Sequence, residues 1–508
     1  MFVRKKSNKS GSVSIQIIDK SDGKYKVVHT VGSAKDPEVI EKLLIQAQYK
    51  IPKLQKQKIF QFPDDKEEVM LAFANTLSNS NVVPVGASLV FGRLYNKIGF
   101  EEIKAPLLKD LVLSRIIYQG SKLKLTEYLR RYENRNISVQ RIYRFLDTFH
   151  KRYKEQAEQI AFAHTKKVLG RIHVVFYDMT TLYFEAEEED DFRKIGFSKD
   201  GKFQNPQVML GLLVGEKGYP IGYELFEGNT WEGHTLIPVL ETFEKRFNLS
   251  KPIVVADSGL LSHGNIALLE AKGYGYIIGA RIKKEKESIA KKILALELKQ
   301  DGAIGEINRE DGTRLIISYT EKRAKKDHYN RKKGLKRLEK RVRSGKLTKA
   351  HINNRGYNKY LKLNQTIEVE IDYEKYEADA VWDGLKGYIT NTNLSPKTIK
   401  ENYANLWQIE KAFRMSKSDL RIRPIYHFTK RRIEAHISIS FIAYTVYKEL
   451  ERLLYKHRAP FSVNTARDII HHMYQLRFTL PETNTEHKVL LKMDEEQKKL
   501  IDIINIET

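Results

Sequence analysis

The sequence predicts an α/β protein: a mixed-sheet core, interrupted by a mostly β insertion and flanked by helical regions. Three observations predict it. From residue 170, apolar runs and helical patterns follow the order β-β-β-α-β-α-β-α, and three antiparallel-type strands followed by βα units build a mixed sheet with helices on its faces. Between 298 and 392, short strand-like runs break this pattern. Before 170 and after 396, the apolar spacing is helical.

The elements follow in order. Residues 11–32 alternate apolar and polar around Ser21-Asp22-Gly23 and read as a hairpin. Segments 36–50 and 64–80 read as helices, and 86–168 is helical throughout, with Leu107, Leu108, Leu111, Val112, Ile116 and Ile117 on one face. Ser138 is a good N-cap for a helix carrying Arg141 and Arg144, which suits either a DNA-binding module or an ordinary packing domain. Strand 172–177 precedes an acidic loop at 185–191. Strands 207–215 and 221–226 are joined by Glu216-Lys-Gly-Tyr-Pro220, a turn sequence. Helix 234–246, strand 252–256, helix 263–272, strand 274–278 and basic helix 284–296 complete the first part of the core. In the insertion, 302–307, 314–319, 366–373 and 388–391 read as strands around a basic helical stretch, 325–363. Helices return over 396–455 and 464–477. The expected division is 1–60, 61–169, 170–297, 298–392, 393–455 and 456–508.

The 508 residues are 41% hydrophobic, enough for a full core in roughly three domains. Cysteine is absent, which excludes disulfides and thiolate metal sites and fits a reducing compartment. No run of 18 apolar residues suggests a membrane span, and the basic N-terminus lacks the apolar stretch of a secretory signal. The net charge is +25, and residues 321–350 hold 14 Lys/Arg against 3 Asp/Glu. Such an excess favours a polyanionic partner, most commonly nucleic acid. No phosphate-loop motif occurs, so nucleotide hydrolysis is not implied. His234 and His263 lack metal-ligand spacing and read as surface or satisfied polar histidines, and Trp382 and Trp407 read as core.

Three carboxylates stand apart. Asp178 ends the apolar run 172–177, Asp257 ends 253–256, and Glu410 lies in the helical pattern 403–417. An Asp at a strand end is commonly a turn former or cap, and a Glu on an amphipathic helix is commonly solvated. Together they form a minimal set for hard divalent cations, which clamp the attacking and leaving oxygens of a phosphodiester.

These residues resemble the DDE transposases of bacterial insertion sequences, in the subgroup with a Tyr-x2-Arg-x3-Glu-x6-Lys signature. The matches are Phe176-Tyr-Asp178-Met-Thr-Thr181, Val254-Val-Ala-Asp257-Ser-Gly259, Gly222-Tyr-Glu-Leu-Phe-Glu-Gly-Asn-Thr230, Trp382-Asp-Gly-Leu385 with Tyr388-Ile-Thr-Asn391, and Tyr403, Glu410 and Lys417 of the signature. The signature arginine position is Leu406, a departure that leaves its phosphate contact to Arg414 or Lys411. The likeness spans about 170–450. It implies an RNase H-like core with a β insertion, and catalysis by Asp178, Asp257 and Glu410 holding two Mg²⁺ or Mn²⁺ ions. It also implies double-stranded DNA, as transposon ends and target, for the partner. Tyr403, Lys411, Arg414, Lys417, Arg421 and Arg423 are the DNA-binding candidates. A homodimer or larger assembly acting in the bacterial cytoplasm, at the nucleoid, completes that expectation. The rival readings are a nuclease without strand transfer and a catalytically decayed DNA-binding protein.

Overall fold

The computed structural model describes residues 1–21, 23–55, 70–133, 135–198, 201–260, 263–345, 347–353, 355–364, 368–480 and 484–507. Of the helix expected at 64–80, residues 64–69 lie outside the described residues, and 70–74 is helical. The chain forms two compact units, Met1–Asn81 and Val82–Thr508.

In the first unit, strands β1 (Phe2–Ser7), β2 (Val13–Asp19) and β3 (Lys26–Ala34) form an antiparallel sheet in that order. Alternation along β2 turns Ile15 and Ile17 to one face, where they are buried with Ala47 of the helix Pro37–Leu54.

The second unit is built on an eight-stranded sheet. Its strands are β5 (Val174–Tyr183), β6 (Gln207–Val214), β7 (Pro220–Glu227), β8 (Ile253–Ala256), β9 (Tyr276–Ala280), β10 (Ile304–Asn308), β11 (Arg314–Tyr319) and β14 (Leu385–Thr390). Three smaller strands precede or interrupt these: β4 (Val82–Pro84), β12 (Leu361–Leu363) and β13 (Val369–Ile371). The sheet order is β10-β11-β14-β9-β8-β5-β6-β7. β5, β8 and β9 run parallel, while the other pairings are antiparallel. The five strands β7-β6-β5-β8-β9 are the RNase H-like core, in the mixed arrangement that the strand-and-helix pattern predicts.

Both faces of the sheet are covered, so its central strands read as nearly continuous apolar runs. Val174, Phe176 and Leu182 of β5 pack into one core with Ile409, Phe413 and the helix Lys430–Lys456. Val175, Tyr177 and Met179 pack into the other, with Leu236, Leu240 and Phe243 of the helix Leu236–Phe247. The helix Lys430–Lys456 is buried continuously from Ala435 to Leu450. A helix apolar on all sides belongs in an interior, and the helices Pro106–Ile117 and Val139–Arg152 pack along it. Arg141's amide donates to the Ser138 cap at 3.2 Å, and Ile142, Leu146 and Phe149 face that central helix.

Residues 298–392 divide between sheet and excursion. β10, β11 and β14 extend the main sheet. The basic stretch forms a helix over Glu321–Arg343, and β12 and β13 make a separate two-stranded sheet with its own core of Leu338, Tyr360, Leu361, Ile371 and Tyr376. The stretch 464–477, expected to be helical, differs. Its helix ends at His471, and β15 (Tyr474–Thr479) follows, paired with β4 and β16 (Glu486–Leu490). Alternating Tyr474, Leu476 and Phe478 suit a strand once two neighbours are present.

One charged group is fully buried in the central helix. Glu449 is 0% exposed, accepts two hydrogen bonds from Arg452 at 2.8 and 2.6 Å, and lies 3.2 Å from His164 Nε2. Burial alone would raise its carboxyl, but the bonds from Arg452 and His164 prevail and bring it down to about 2 from the ordinary 4.5. A depressed carboxyl contributes stability above its unfolded value and loses it as pH falls toward the folded one. Wild type should therefore exceed Glu449→Gln by about 3 kcal/mol at neutral pH. Denaturant unfolding should show that gap closing between about pH 4.5 and 2; a gap that stays constant with pH would refute the assignment.

Candidate active site

The register of two parallel strands brings Asp178 and Asp257 together. Tyr177 pairs with Ala256 as the last matched residues of β5 and β8. The next residue on each chain is a carboxylate, so the two sit side by side, with backbones about 4.8 Å apart. Tyr177 and Ala256 face one core; by alternation Asp178 and Asp257 face the other. β5 continues past the end of β8, so the pair lies in the crevice outside the carboxyl end of the parallel strands, where α/β sheets place ligands.

Each carboxylate is held locally. The Met179 amide donates to Asp178 at 2.7 Å, and the Ser258 amide donates to Asp257 at 2.7 Å. Tyr403 donates its hydroxyl to Asp257 at 3.1 Å. Burial, then the Asp257 charge, raises the Tyr403 phenol, so it remains a donor. Gly279 of β9 makes room for that hydroxyl, since a methyl group there would overlap it.

Glu410 is exposed on the helix Trp407–Arg414, which packs on β5 and β6. Lys386 of β14 links it electrostatically to Asp257. Burial and then Arg323 hold the Lys386 ammonium below the ordinary lysine range, while Asp257 and Glu410 pull it back up. The ammonium stands 4.3 Å from the centre of the Tyr403 ring. The donors here are hard oxygens, and two adjacent carboxylates suit Mg²⁺, which keeps most of its ligands as water and substrate. Among the described residues, no three His, Cys, Asp or Glu side chains gather closely enough to hold a metal ion, so Glu410 does not join Asp178 and Asp257 in a ready-made ligand group.

The signature segment departs from one continuous helix. It is split into Pro396–Ala404 and Trp407–Arg414, followed by a π-helical turn, Met415–Asp419. The break is a tightening: the Asn405 and Leu406 amides bond to the carbonyls of Asn402 and Tyr403, three residues back. Tyr403 therefore belongs to the earlier helix, is 5% exposed and serves Asp257. Lys417 lies half-buried in the π turn. Leu406 is buried in the core, so an arginine at this position would place a charge among apolar side chains. Arg414 is exposed, whereas Lys411 pairs with Glu451. Arg421 is exposed, and Arg423 lies 5.4 Å from the centre of the Tyr183 ring. Trp407, expected in the core, is 49% exposed, because the tightened turn rotates it outward beside Lys411. Trp382 packs partly on the sheet and lines a cleft. His234 meets the Trp231 ring edge-on, and the side chain of His263 lies outside the described residues.

That cleft, of about 790 Å³, opens beside Asp257 and is lined by Arg281, Lys284, Arg323, Lys386, Tyr357 and Trp382, among others. Several cations in its wall are paired: Lys283 and Lys359 share Asp379 at 3.0 and 2.7 Å, Arg331 meets Asp383 at 2.6 Å, and Arg323 meets Asp327 at 3.4 Å. Arg281 also donates to the Ser258 carbonyl at 2.9 Å, next to Asp257. Sequence reasoning missed Arg281 and Lys386. A lone lysine inside the apolar strand 385–390 was the available clue.

No protein of curated function matches the chain significantly. Among solved structures, a piggyBac transposase synaptic complex with hairpin DNA is similar at 10% identity, covering 76% of each chain with a TM-score of 0.37. A Mos1 transposase paired-end complex with the left transposon end matches at 13% identity, over 37% of this chain and 57% of that one, with a TM-score of 0.16. The family described as the transposase DDE domain matches residues 170–446, from the strand bearing Asp178 through most of the central helix. This match covers more than half of the chain and all three carboxylates, and the protein belongs to the transposase DDE domain family.

Proposed function

We propose that the protein is a DNA transposase that binds terminal inverted repeats, cleaves DNA at them and joins the 3′ ends to target DNA. The observation that carries this reading is the β5–β8 register that sets Asp178 beside Asp257, with Asp257 lining a cationic cleft. Mg²⁺ or Mn²⁺ held by Asp178, Asp257 and Glu410 would offset the phosphodiester charge and polarise its oxygens. The protein's own groups do the positioning. Tyr403 fixes the orientation of Asp257 through its hydroxyl, and Arg281 anchors the following loop. Arg281, Lys284 and Arg323 attract a phosphate backbone into the cleft. Trp382 and Tyr357 give that cleft apolar surfaces on which a base can stack. Arg414, Lys417, Arg421 and Arg423 extend the cationic surface beyond Glu410.

The test is incubation of the full chain with a DNA fragment carrying the flanking repeats, with and without Mg²⁺. Cleaved and joined products should appear only with the metal and vanish on chelation. Cleavage without joining would leave a nuclease. Asp178→Ala, Asp257→Ala and Glu410→Ala should each abolish cleavage while DNA affinity stays within about threefold, since none contributes a phosphate-binding cation. A variant of these three that cleaves normally would remove that residue from the site.

The helix Glu321–Arg343 supplies a second expectation. Arg331, Gly334 and Leu338 face inward, which leaves Lys332, Lys333, Lys336 and Lys340 exposed. With Tyr329 as its one aromatic side chain apart from the histidine, this surface suits phosphates rather than bases. Changing those four lysines to glutamine should weaken binding to any DNA sequence. The log–log salt slope should fall by up to about 0.9 per lost contact. An unchanged slope would make this a solvated face.

A further inference from the structure

A second cationic cavity lies beyond the π turn. Its volume is about 580 Å³, and Arg115, Lys122, Lys124, Arg421, Arg423 and His436 line it, with no Asp or Glu in its wall among the described residues. Two of these cations are built into the interior: Arg115 is 7% exposed and Lys122 is 8% exposed. Arg115 is accounted for, since it donates to the Arg421 carbonyl at 3.0 Å and so holds the loop. Lys122 is not. Among the described residues no carboxylate pairs with it, and its neighbour is His436 Nδ1 at 3.5 Å. His436 Nε2 lies 2.9 Å from the Ile422 carbonyl and must donate to it. Its Nδ1 then offers only a lone pair, and the imidazole brings no negative charge. Burial, and then Arg115, hold the Lys122 amine well below the ordinary lysine range, and an anion entering the cavity would restore its charged form.

Two further observations point to the same missing charge. The helix Lys122–Glu133 begins at this cavity, with the Lys124 amide donating to Ser121 Oγ at 3.2 Å. A helix N-terminus favours anions, yet this first turn holds Lys122 and Lys124 and no acid. Opposite it, Arg421 adopts a positive φ of 44°, a conformation costly for arginine, and both Arg421 and Arg423 line the cavity.

We propose that this cavity binds one backbone phosphodiester of bound DNA, with Lys122 as its buried counter-charge. The inference rests on the DNA reading above and adds a contact site to it.

The test uses the full chain, a mixed-sequence duplex of about 40 base pairs, and inorganic phosphate as a free anion. Lys122→Met should reduce the magnitude of the log–log salt slope for the duplex by about 0.9. Ser121→Asp keeps a good cap and supplies an internal carboxylate. It should raise the melting temperature yet weaken duplex binding by about tenfold, and it carries the test if Lys122→Met fails to fold. An unchanged slope and affinity in these variants, with wild-type binding intact, overturns this site alone. Wild-type protein that binds no DNA overturns the broader reading and this inference with it. Inorganic phosphate that stabilises wild type while Lys122→Met leaves the duplex slope unchanged makes this a free-anion site, and also overturns the proposal.

Discussion

The parallel pairing of β5 with β8 is the constraint on which the rest of the site depends. A slip of one residue would carry Asp178 to the opposite face of the sheet, away from Asp257 and from the helix bearing Glu410. Burial on both faces resists that slip. Each of Val174, Val175, Phe176 and Tyr177 fills a place in one of the two cores, and full burial of such a side chain is worth roughly 1.5–3 kcal/mol. The acidic pair is thus held by apolar packing immediately before it on both strands. Chemical groups that repel each other are kept together by neighbours that do not ionise.

Several cations share the field of that pair. Lys386 stands over the Tyr403 ring and couples to both Asp257 and Glu410. Arg281, Lys284 and Arg323 line the same cleft as Asp257. Lys411, close in sequence to Glu410, faces away and is neutralised by Glu451. Proximity in the chain is therefore a poor guide to which cations share a field with the carboxylates.

The apolar runs leading to Asp178 and Asp257 were legible because two-sided burial leaves them uninterrupted, although β5 runs on to Tyr183 where the sequence suggested an end at 177. The turn before β7 was legible because Gly218 adopts a positive φ there, which glycine tolerates. The break at Asn405 and Leu406 was not. Both residues keep right-handed helical angles, so no glycine or proline marks the place. Leu406 itself makes sense only in three dimensions: it is apolar because it fills the core. β15 was read as helix because its six residues follow directly on a helix, and its pairing partner, β4, lies hundreds of residues earlier. The Lys122 cavity was hidden for the same reason. Its walls come from segments near 120 and near 422, and neither is unusual alone.

The excursion between β11 and β14 has a further consequence. Tyr319 and Leu385 are register partners, and the Thr320 amide bonds to the Gly384 carbonyl at 3.1 Å. The chain thus leaves the sheet and returns to it at one point, with a small core of its own in between. Closing a flexible connection costs only about 0.6 kcal/mol more for each doubling of its length. Insertions and deletions within 320–384 can therefore accumulate without altering how β11 meets β14. Evolution can lengthen, shorten or replace this lobe, and so retune what it touches, while the strands leading to Asp178 and Asp257 keep their register.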